Sequence, residues 1–174
     1  EMLSPMDRLS LPGASRDAIW VGGDATLDRV ACVDWTSKTC LEVDVGPYRE
    51  CLLTMLGSEA EEDVIVSFTE TMSVTLMASA SSKEWRGKLI LYLGDNTITI
   101  AWLSGLPPRK RYIRHILRAI RGLQARDRWS LLAGYVRTYH NTTNDLLTRE
   151  CKEGVDELLR RHGLTRLDVS QAWK

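Results

Sequence analysis

The hydrophobic period changes along this chain in an order that only an α/β fold accommodates. Three short β-rich runs come first. Residues 18–21 form an apolar stretch stopped by Gly22-Gly23-Asp24. Residues 30–35 and 39–45 form two more, separated by Thr36-Ser37-Lys38 and closed by Gly46-Pro47. Together they predict a three-strand meander. Residues 48–62 show no clear period and end in an acidic cluster. From 63 to 85 the spacing becomes helical, with Ile65, Phe68, Met72 and Leu76 on one stripe and Val66, Val74 and Met77 on another, so this helix is buried on two sides. Residues 88–93 read as a strand. Pro107-Pro108 interrupts the chain before a helix over 109–124, which buries Ile113, Ile116, Leu117, Ile120 and Leu123. Residues 131–139 form a further strand, and 145–162 a last helix stopped by Gly163. The sum is a mixed five-stranded sheet: a three-strand meander, then helix, strand, helix, strand, helix.

A chain of 174 residues, 44% hydrophobic and 26% charged, buries one sizeable core. The expected division is a leader or linker over 1–16, where Pro5, Pro12 and Gly13 disfavour regular structure, a domain over 17–150, and a C-terminal helix and tail over 151–174. The sequence opens on Glu1, as an excised or processed piece would. Its longest apolar runs, such as 64–66 and 89–93, are far too short to cross a bilayer, and the start has no basic segment followed by an apolar one. An intracellular protein, cytoplasmic or nuclear, with no membrane partner is the expectation. Cys32, Cys40, Cys51 and Cys151 include no Cys-x-x-Cys pair and read as reduced thiols, and His115, His140 and His162 are not grouped with them as a zinc site requires.

The net charge of zero conceals an asymmetry. Residues 1–108 carry 8 Lys/Arg against 16 Asp/Glu, residues 109–128 carry 8 against 1, and residues 129–174 carry 7 against 6. Within the basic block, Arg111, Arg114, Arg118 and Arg121 recur at helical spacing opposite the apolar stripe. Such a row is either an ordinary solvated face or a contact for a polyanion, because local potential rather than net charge steers a nucleic acid.

Four acidic residues stand where an α/β sheet would gather them. Asp24 ends the first strand, Glu70 lies inside the first helix, Asp95 ends the fourth strand, and Asp145 opens the last helix. If the first and fourth strands are neighbours, Asp24 and Asp95 lie side by side, with Glu70 reaching in from a helix packed across them. Clustered carboxylates repel one another unless protonated or neutralised, and an all-oxygen donor set favours Mg²⁺ or Mn²⁺. Two such ions about 3.5–4 Å apart suit an in-line phosphodiester hydrolysis.

The segment KLILYLGDNTITIAWL, residues 88–103, resembles the ribonuclease H domain of retroelement reverse transcriptase polyproteins (LTR or tyrosine-recombinase type), in which an apolar strand ends in Asp-Asn-Thr and a short helix follows. YHNTTNDLLTR, residues 139–149, is similar to that family's closing motif Asn-x-x-Ala-Asp-x-Leu-Ser-Arg, with Asn141, Asp145, Leu147, Thr148 and Arg149 in register. Gly23-Asp24-Ala25-Thr26 is similar to its opening Asp-Ala-Ser. The resemblance covers residues 18–150. It implies a ribonuclease H-like fold, hydrolysis of the RNA strand of RNA–DNA hybrids, and two Mg²⁺ ions, Mn²⁺ being an alternative, held by Asp24, Glu70, Asp95 and Asp145. Thr26, Asn96 and the row Arg111, Arg114, Arg118 and Arg121 would contact the hybrid, and an adjacent reverse transcriptase or other polyprotein domain would be a partner. The chain departs from the family after Asp24, where the Gly-rich hairpin is absent, in residues 46–66, which are longer than the usual link, and at Asn144, which replaces a small residue. His140, five residues before Asp145, receives no catalytic role.

Each of these residues also has a plainer reading. Gly22-Gly23-Asp24 would serve as a simple turn, and Asp145 as a charge favouring a helix N-terminus. Periodicity alone makes Leu93-Gly94-Asp95-Asn96 a hairpin with residues 97–100 as its second strand, whereas the resemblance makes Asn96 or Thr97 a helix N-cap. A domesticated or decayed copy kept as a binding or scaffold module is the rival function. A related four-acid DNA exonuclease ranks lower, because Thr26 stands where those enzymes need Glu.

Overall fold

The structure, a computed structural model, describes residues 18–57, 62–106, 108 and 111–168. The proposed leader over 1–16 lies outside them.

β1 (Ala18–Ala25), β2 (Arg29–Asp34) and β3 (Thr39–Asp44) form the expected antiparallel meander. β1 does not stop at Gly22. It runs on through Gly22, Gly23 and Asp24, because this strand is paired on both sides and other side chains crowd its backbone. A Cβ on Gly23 would sit 2.7 Å from the Tyr92 hydroxyl, so glycine here permits close approach inside a strand rather than a turn. After β3 the unassigned stretch contains α1 (Arg49–Leu56), which buries Leu52 and Leu56.

α2 (Glu62–Ala80) is the central helix, followed by the single turn α3 (Ser82–Trp85). Apart from Glu70, the buried polar positions of α2 are Ser and Thr, whose hydroxyls bond back to their own helix: Thr71 Oγ1 donates to Ser67 O at 2.8 Å and Ser73 Oγ to Glu70 O at 2.7 Å. Back-bonding of this kind lets small polar residues pack against a sheet without orphaned donors. Ile19, Val21, Cys32, Leu41, Ile90 and Tyr92 meet Val74 and Met77 of α2 in the main core. Trp85 is fully buried there, edge-on to Trp129, and its Nε1 donates to Asp34 Oδ2 at 2.9 Å.

β4 (Leu89–Gly94) lies parallel to β1, and β5 (Ser130–Tyr135) parallel to β4. Between them stand α4 (Thr97–Leu103) and α5 (Arg111–Asp127). The hairpin reading of residues 97–100 fails because Asn96 Oδ1 accepts from the backbone N–H of Ile98 and Thr99, an N-cap that outweighs the β-propensity of Thr97, Ile98, Thr99 and Ile100. α5 buries Ile113 and Ile120 and leaves Arg111, Arg114, Arg118 and Arg121 exposed.

The expected last helix is two helices, α6 (Thr142–Arg149) and α7 (Lys152–His162). Glu150 and Cys151 are extended between them, and Arg29 Nη1 takes the exposed carbonyls, donating to Glu150 O at 2.6 Å and Leu147 O at 3.5 Å. Both helices cover the opposite face of the meander, where Leu147, Val155, Leu158 and Leu159 pack on Ala31, Val33 and Cys40. Gly163, left-handed at φ 64°, closes α7 as expected, and the chain returns as β6 (Thr165–Arg166) parallel to β3. Among the described residues the sheet therefore has six strands rather than five, in the order β5-β4-β1-β2-β3-β6.

Candidate active site

The parallel pairing of β1 and β4 sets Ala18 opposite Leu89 and Gly22 opposite Leu93. Two residues beyond that last pair stand Asp24, on the face that α6 covers, and Asp95, near enough for its carboxylate to act on Asp24. Asp24 is the penultimate residue of β1, and Asp95 follows the last residue of β4. Glu70 approaches from α2 on the other face, beneath Gly94. A Cβ there would lie 3.0 Å from Glu70 Oε1, so glycine leaves the carboxylate its place. Tyr92 donates its hydroxyl to Glu70 Oε1 at 2.5 Å, and Thr99 Oγ1 to Oε2 at 3.2 Å.

Asp145 stands in the first turn of α6, and one helical turn later Thr148 and Arg149 face the same way. Thr148 Oγ1 donates to Asp24 Oδ2 at 2.6 Å, and Arg149 Nε to Asp145 Oδ1 at 2.6 Å. Asn141 ties α6 to both strands, its Nδ2 donating to Gly23 O at 3.1 Å and lying 3.5 Å from Asp95 Oδ1. Asn144, where the family pattern has a small residue, fits because Gly22 has no side chain: a Cβ there would meet Asn144 Nδ2 at 2.5 Å.

These carboxylates are electrostatically uncomfortable. Asp24 is 8% exposed and Glu70 1%. Burial pushes Asp24 from 3.8 up to about 6; the nearby Asp95 and Asp145 add to the rise, and the bonds from Thr148 and the Ala25 backbone oppose it. Burial likewise pushes Glu70 from 4.5 up to about 7, with Asp24 and Asp95 adding to the rise and the Tyr92 and Thr99 hydroxyls opposing it. Among the described residues, Asp145 alone of the four has an ion-pair partner, Arg149. Nor do any three His, Cys, Asp or Glu among the described residues converge closely enough to hold a metal ion as they stand.

The remaining candidates have local duties. Thr26 Oγ1 accepts from the Asp28 and Arg29 N–H groups and shapes the β1–β2 turn. Asn96 caps α4 and donates from Nδ2 to Ser67 Oγ at 3.0 Å. Both border the site, and a cleft of about 380 Å³ opens on Asp95 between Asp63, Ser67, Asn96 and Thr97. A larger groove, about 670 Å³, lies between α1, α2 and α5 and contains none of the four carboxylates. The arginines of α5 are solvent-facing. Arg121 also reaches Gln124 Oε1 at 2.9 Å, and Arg111 Nε reaches His115 Nε2 at 3.3 Å. Tyr92, Thr99, Asn141 and Thr148 were not singled out as carboxylate partners by the sequence. Asn141 and Thr148 stand in register with the closing motif around Asp145, whereas nothing local marks Tyr92 or Thr99.

The meander, the parallel β1–β4–β5 half, the central helix and the split C-terminal helix define a ribonuclease H-like α/β fold. Solved structures of ribonuclease H domains share it. RNase H1 from the halophilic archaeon Halobacterium salinarum superposes with a TM-score of 0.52 at 13% identity, over 80% of this chain and 98% of its own. The N-terminal RNase H domain of a Mycobacterium tuberculosis protein, solved as a fusion with maltose-binding protein, gives 0.51 at 12% identity, over 83% and 97%. At these identities the likeness is one of fold. No family model matches the sequence, and no curated protein matches it significantly.

Proposed function

We propose that this chain is a metal-dependent endonuclease that hydrolyses the RNA strand of RNA–DNA hybrids, of the kind carried by retroelement reverse transcriptases beside other polyprotein domains. The observation that carries the proposal is the burial of Asp24 and Glu70 without a cationic partner, at the strand end they share with Asp95. Carboxylates held so far above their ordinary range are a standing cost, and functional sites are where such costs concentrate. Their oxygen-only donor set fits two hard divalent cations, with Asp24, Glu70, Asp95 and Asp145 as ligands. When bound, the ions would supply Lewis acidity to the water nucleophile and neutralise charge on the leaving oxygen. The chain's own residues do the positioning. Thr148 orients Asp24, Tyr92 and Thr99 orient Glu70, and Asn141 fixes α6 against both strands. Arg149 neutralises Asp145, and would have to give up that bond for Asp145 to hold a cation. The α5 arginines would hold phosphates, and contacts to 2′-hydroxyls would select RNA.

A second reading is a decayed copy that binds nucleic acid without cutting it, favoured by the lack of three converging ligands among the described residues. Titration with Mn²⁺ separates the two. The active reading expects Mn²⁺ to bind in the absence of nucleic acid and Asp95→Asn to abolish that binding. A parent chain that binds hybrid but no Mn²⁺ supports the decayed copy.

A further inference from the structure

Between β5 and α6 the chain forms a short arch, residues 136–141, with both feet on the carboxylate-bearing strand ends. At one foot the Val136 N–H donates to Gly94 O at 2.9 Å, and at the other Asn141 Nδ2 donates to Gly23 O at 3.1 Å. The arch is held internally by the His140 N–H on Arg137 O at 2.7 Å and by Thr142 Oγ1 on Tyr139 O at 3.0 Å. At its crown Tyr139 is 62% exposed. Its ring is not loose: His140 packs against it with ring centroids 4.2 Å apart, and Arg137 lies 5.9 Å from its centre while Nη1 donates to its hydroxyl at 3.0 Å. The arch thus presents, beside the carboxylates, a solvent-facing aromatic ring held between an imidazole and a guanidinium, an apolar face and a cationic donor side by side.

We propose that Arg137, Tyr139 and His140 form a second grip on the hybrid, in which the Tyr139 ring packs on a sugar of one strand and Arg137 meets the adjoining phosphate. This rests on the nuclease reading of the carboxylates. Tyr139 is two residues from Asn141, so its Cα lies within about 7 Å of that anchor. At roughly 3.4 Å of helix axis per nucleotide, the ring is in range of a nucleotide one or two positions from the one held at Asp24 and Asp95. In a paired hybrid the base faces are already stacked, which leaves the sugar face for an aromatic ring. The guanidinium keeps about four of its five N–H donors for a phosphate after bonding Tyr139. His140 braces the ring.

The test is binding of a labelled hybrid in EDTA, so that no strand is cut, followed by steady-state cleavage in Mg²⁺. Tyr139→Ala is expected to weaken binding about fivefold, the low end of what removing a ring that stacks on a base costs, since here the ring meets a sugar. KM should rise to match while kcat holds within about twofold, as for a contact made equally in ground and transition states. Tyr139→Phe should bind as the parent does, because the ring is kept. Arg137→Met should lower the salt dependence of binding by a slope of about one. Unchanged binding by Tyr139→Ala in a parent that binds and cleaves hybrid overturns the grip and leaves the nuclease reading standing. A fall in kcat at unchanged KM also overturns it, since the arch would then act in the chemistry. A parent that binds no hybrid overturns both.

Discussion

Glu70→Gln should stabilise the metal-free protein, and by an amount that depends on pH. Burial lifts the Glu70 carboxyl from 4.5 to about 7. At roughly 1.4 kcal/mol for each pH unit, that rise is a penalty of about 3 kcal/mol once the group is ionised in the folded state. Between pH 4.5 and 7 the folded chain keeps a proton that the unfolded chain has released. Stability therefore falls as pH rises through that window and levels off above it. Asp24, lifted from 3.8 to about 6, adds a slope of the same sign at slightly lower pH. Glutamine is nearly isosteric and stays neutral. Its oxygen accepts from Tyr92, and its amide donates to Thr99 Oγ1, whose hydroxyl has Ser67 O at 3.4 Å as an alternative acceptor. Urea unfolding in EDTA should show parent and variant within about 1 kcal/mol at pH 5, and the variant ahead by about 3 kcal/mol at pH 8.5. In a thermal scan that gap is roughly 10 °C for a chain of this size. Added Mg²⁺ should raise the parent at pH 8.5 and leave the variant nearly unmoved, because a ligand stabilises only the form that binds it. A variant no more stable than the parent at pH 8.5, or a parent whose stability is flat from pH 5 to 8.5, refutes the argument that Glu70 is a strained buried carboxylate.

Other substitutions probe the same architecture. Gly94→Ala places a Cβ 3.0 Å from Glu70 Oε1 and 3.1 Å from the Tyr92 hydroxyl, and overpacking there should cost about 1–3 kcal/mol in chemical denaturation. Thr148→Val removes a bond that holds the Asp24 carboxyl down, so Asp24 should rise further. Mn²⁺ affinity at pH 6.5 should then fall roughly tenfold, a typical effect of removing a ligand's supporting hydrogen bond, and recover in part at pH 8.5. Changing Arg114, Arg118 and Arg121 to Ala together should weaken hybrid binding and flatten its salt dependence, by a slope of about 0.9 for each phosphate no longer neutralised, with turnover at saturating hybrid preserved. Equal binding by that triple variant would make the row an ordinary solvated face.

Much of this fold is written in local periods. The stripes of α2 and α5 and the apolar run of β4 were legible because each element buries a face set by its own sequence. What stayed hidden is set at long range. The glycines of β1 read as a turn until Tyr92 and Asn144 are seen to occupy the space a Cβ would take. The break between α6 and α7 depends on Arg29, more than a hundred residues away in sequence. β6 has two residues, too few to show a period. Residues 97–100 look like a strand, and a single side chain, Asn96, makes them a helix. The four carboxylates stood out from 23 acidic residues by their places at strand ends and helix positions, and the family resemblance then singled them out as a set. No spacing rule would have paired Glu70 with Tyr92, or Asp24 with Thr148, since those contacts join elements that meet only in the folded sheet.

Whether Asp24, Glu70, Asp95 and Asp145 cut RNA paired to DNA can be decided in one cleavage experiment. The chain and its Asp95→Asn variant are incubated with Mg²⁺ and end-labelled RNA–DNA hybrid, duplex RNA and duplex DNA, and the products are resolved strand by strand. Internal cuts are expected in the RNA strand of the hybrid alone, abolished by EDTA and by Asp95→Asn. An intact hybrid after incubation with a folded, Mn²⁺-binding parent, or cuts that survive in Asp95→Asn, would contradict the nuclease reading.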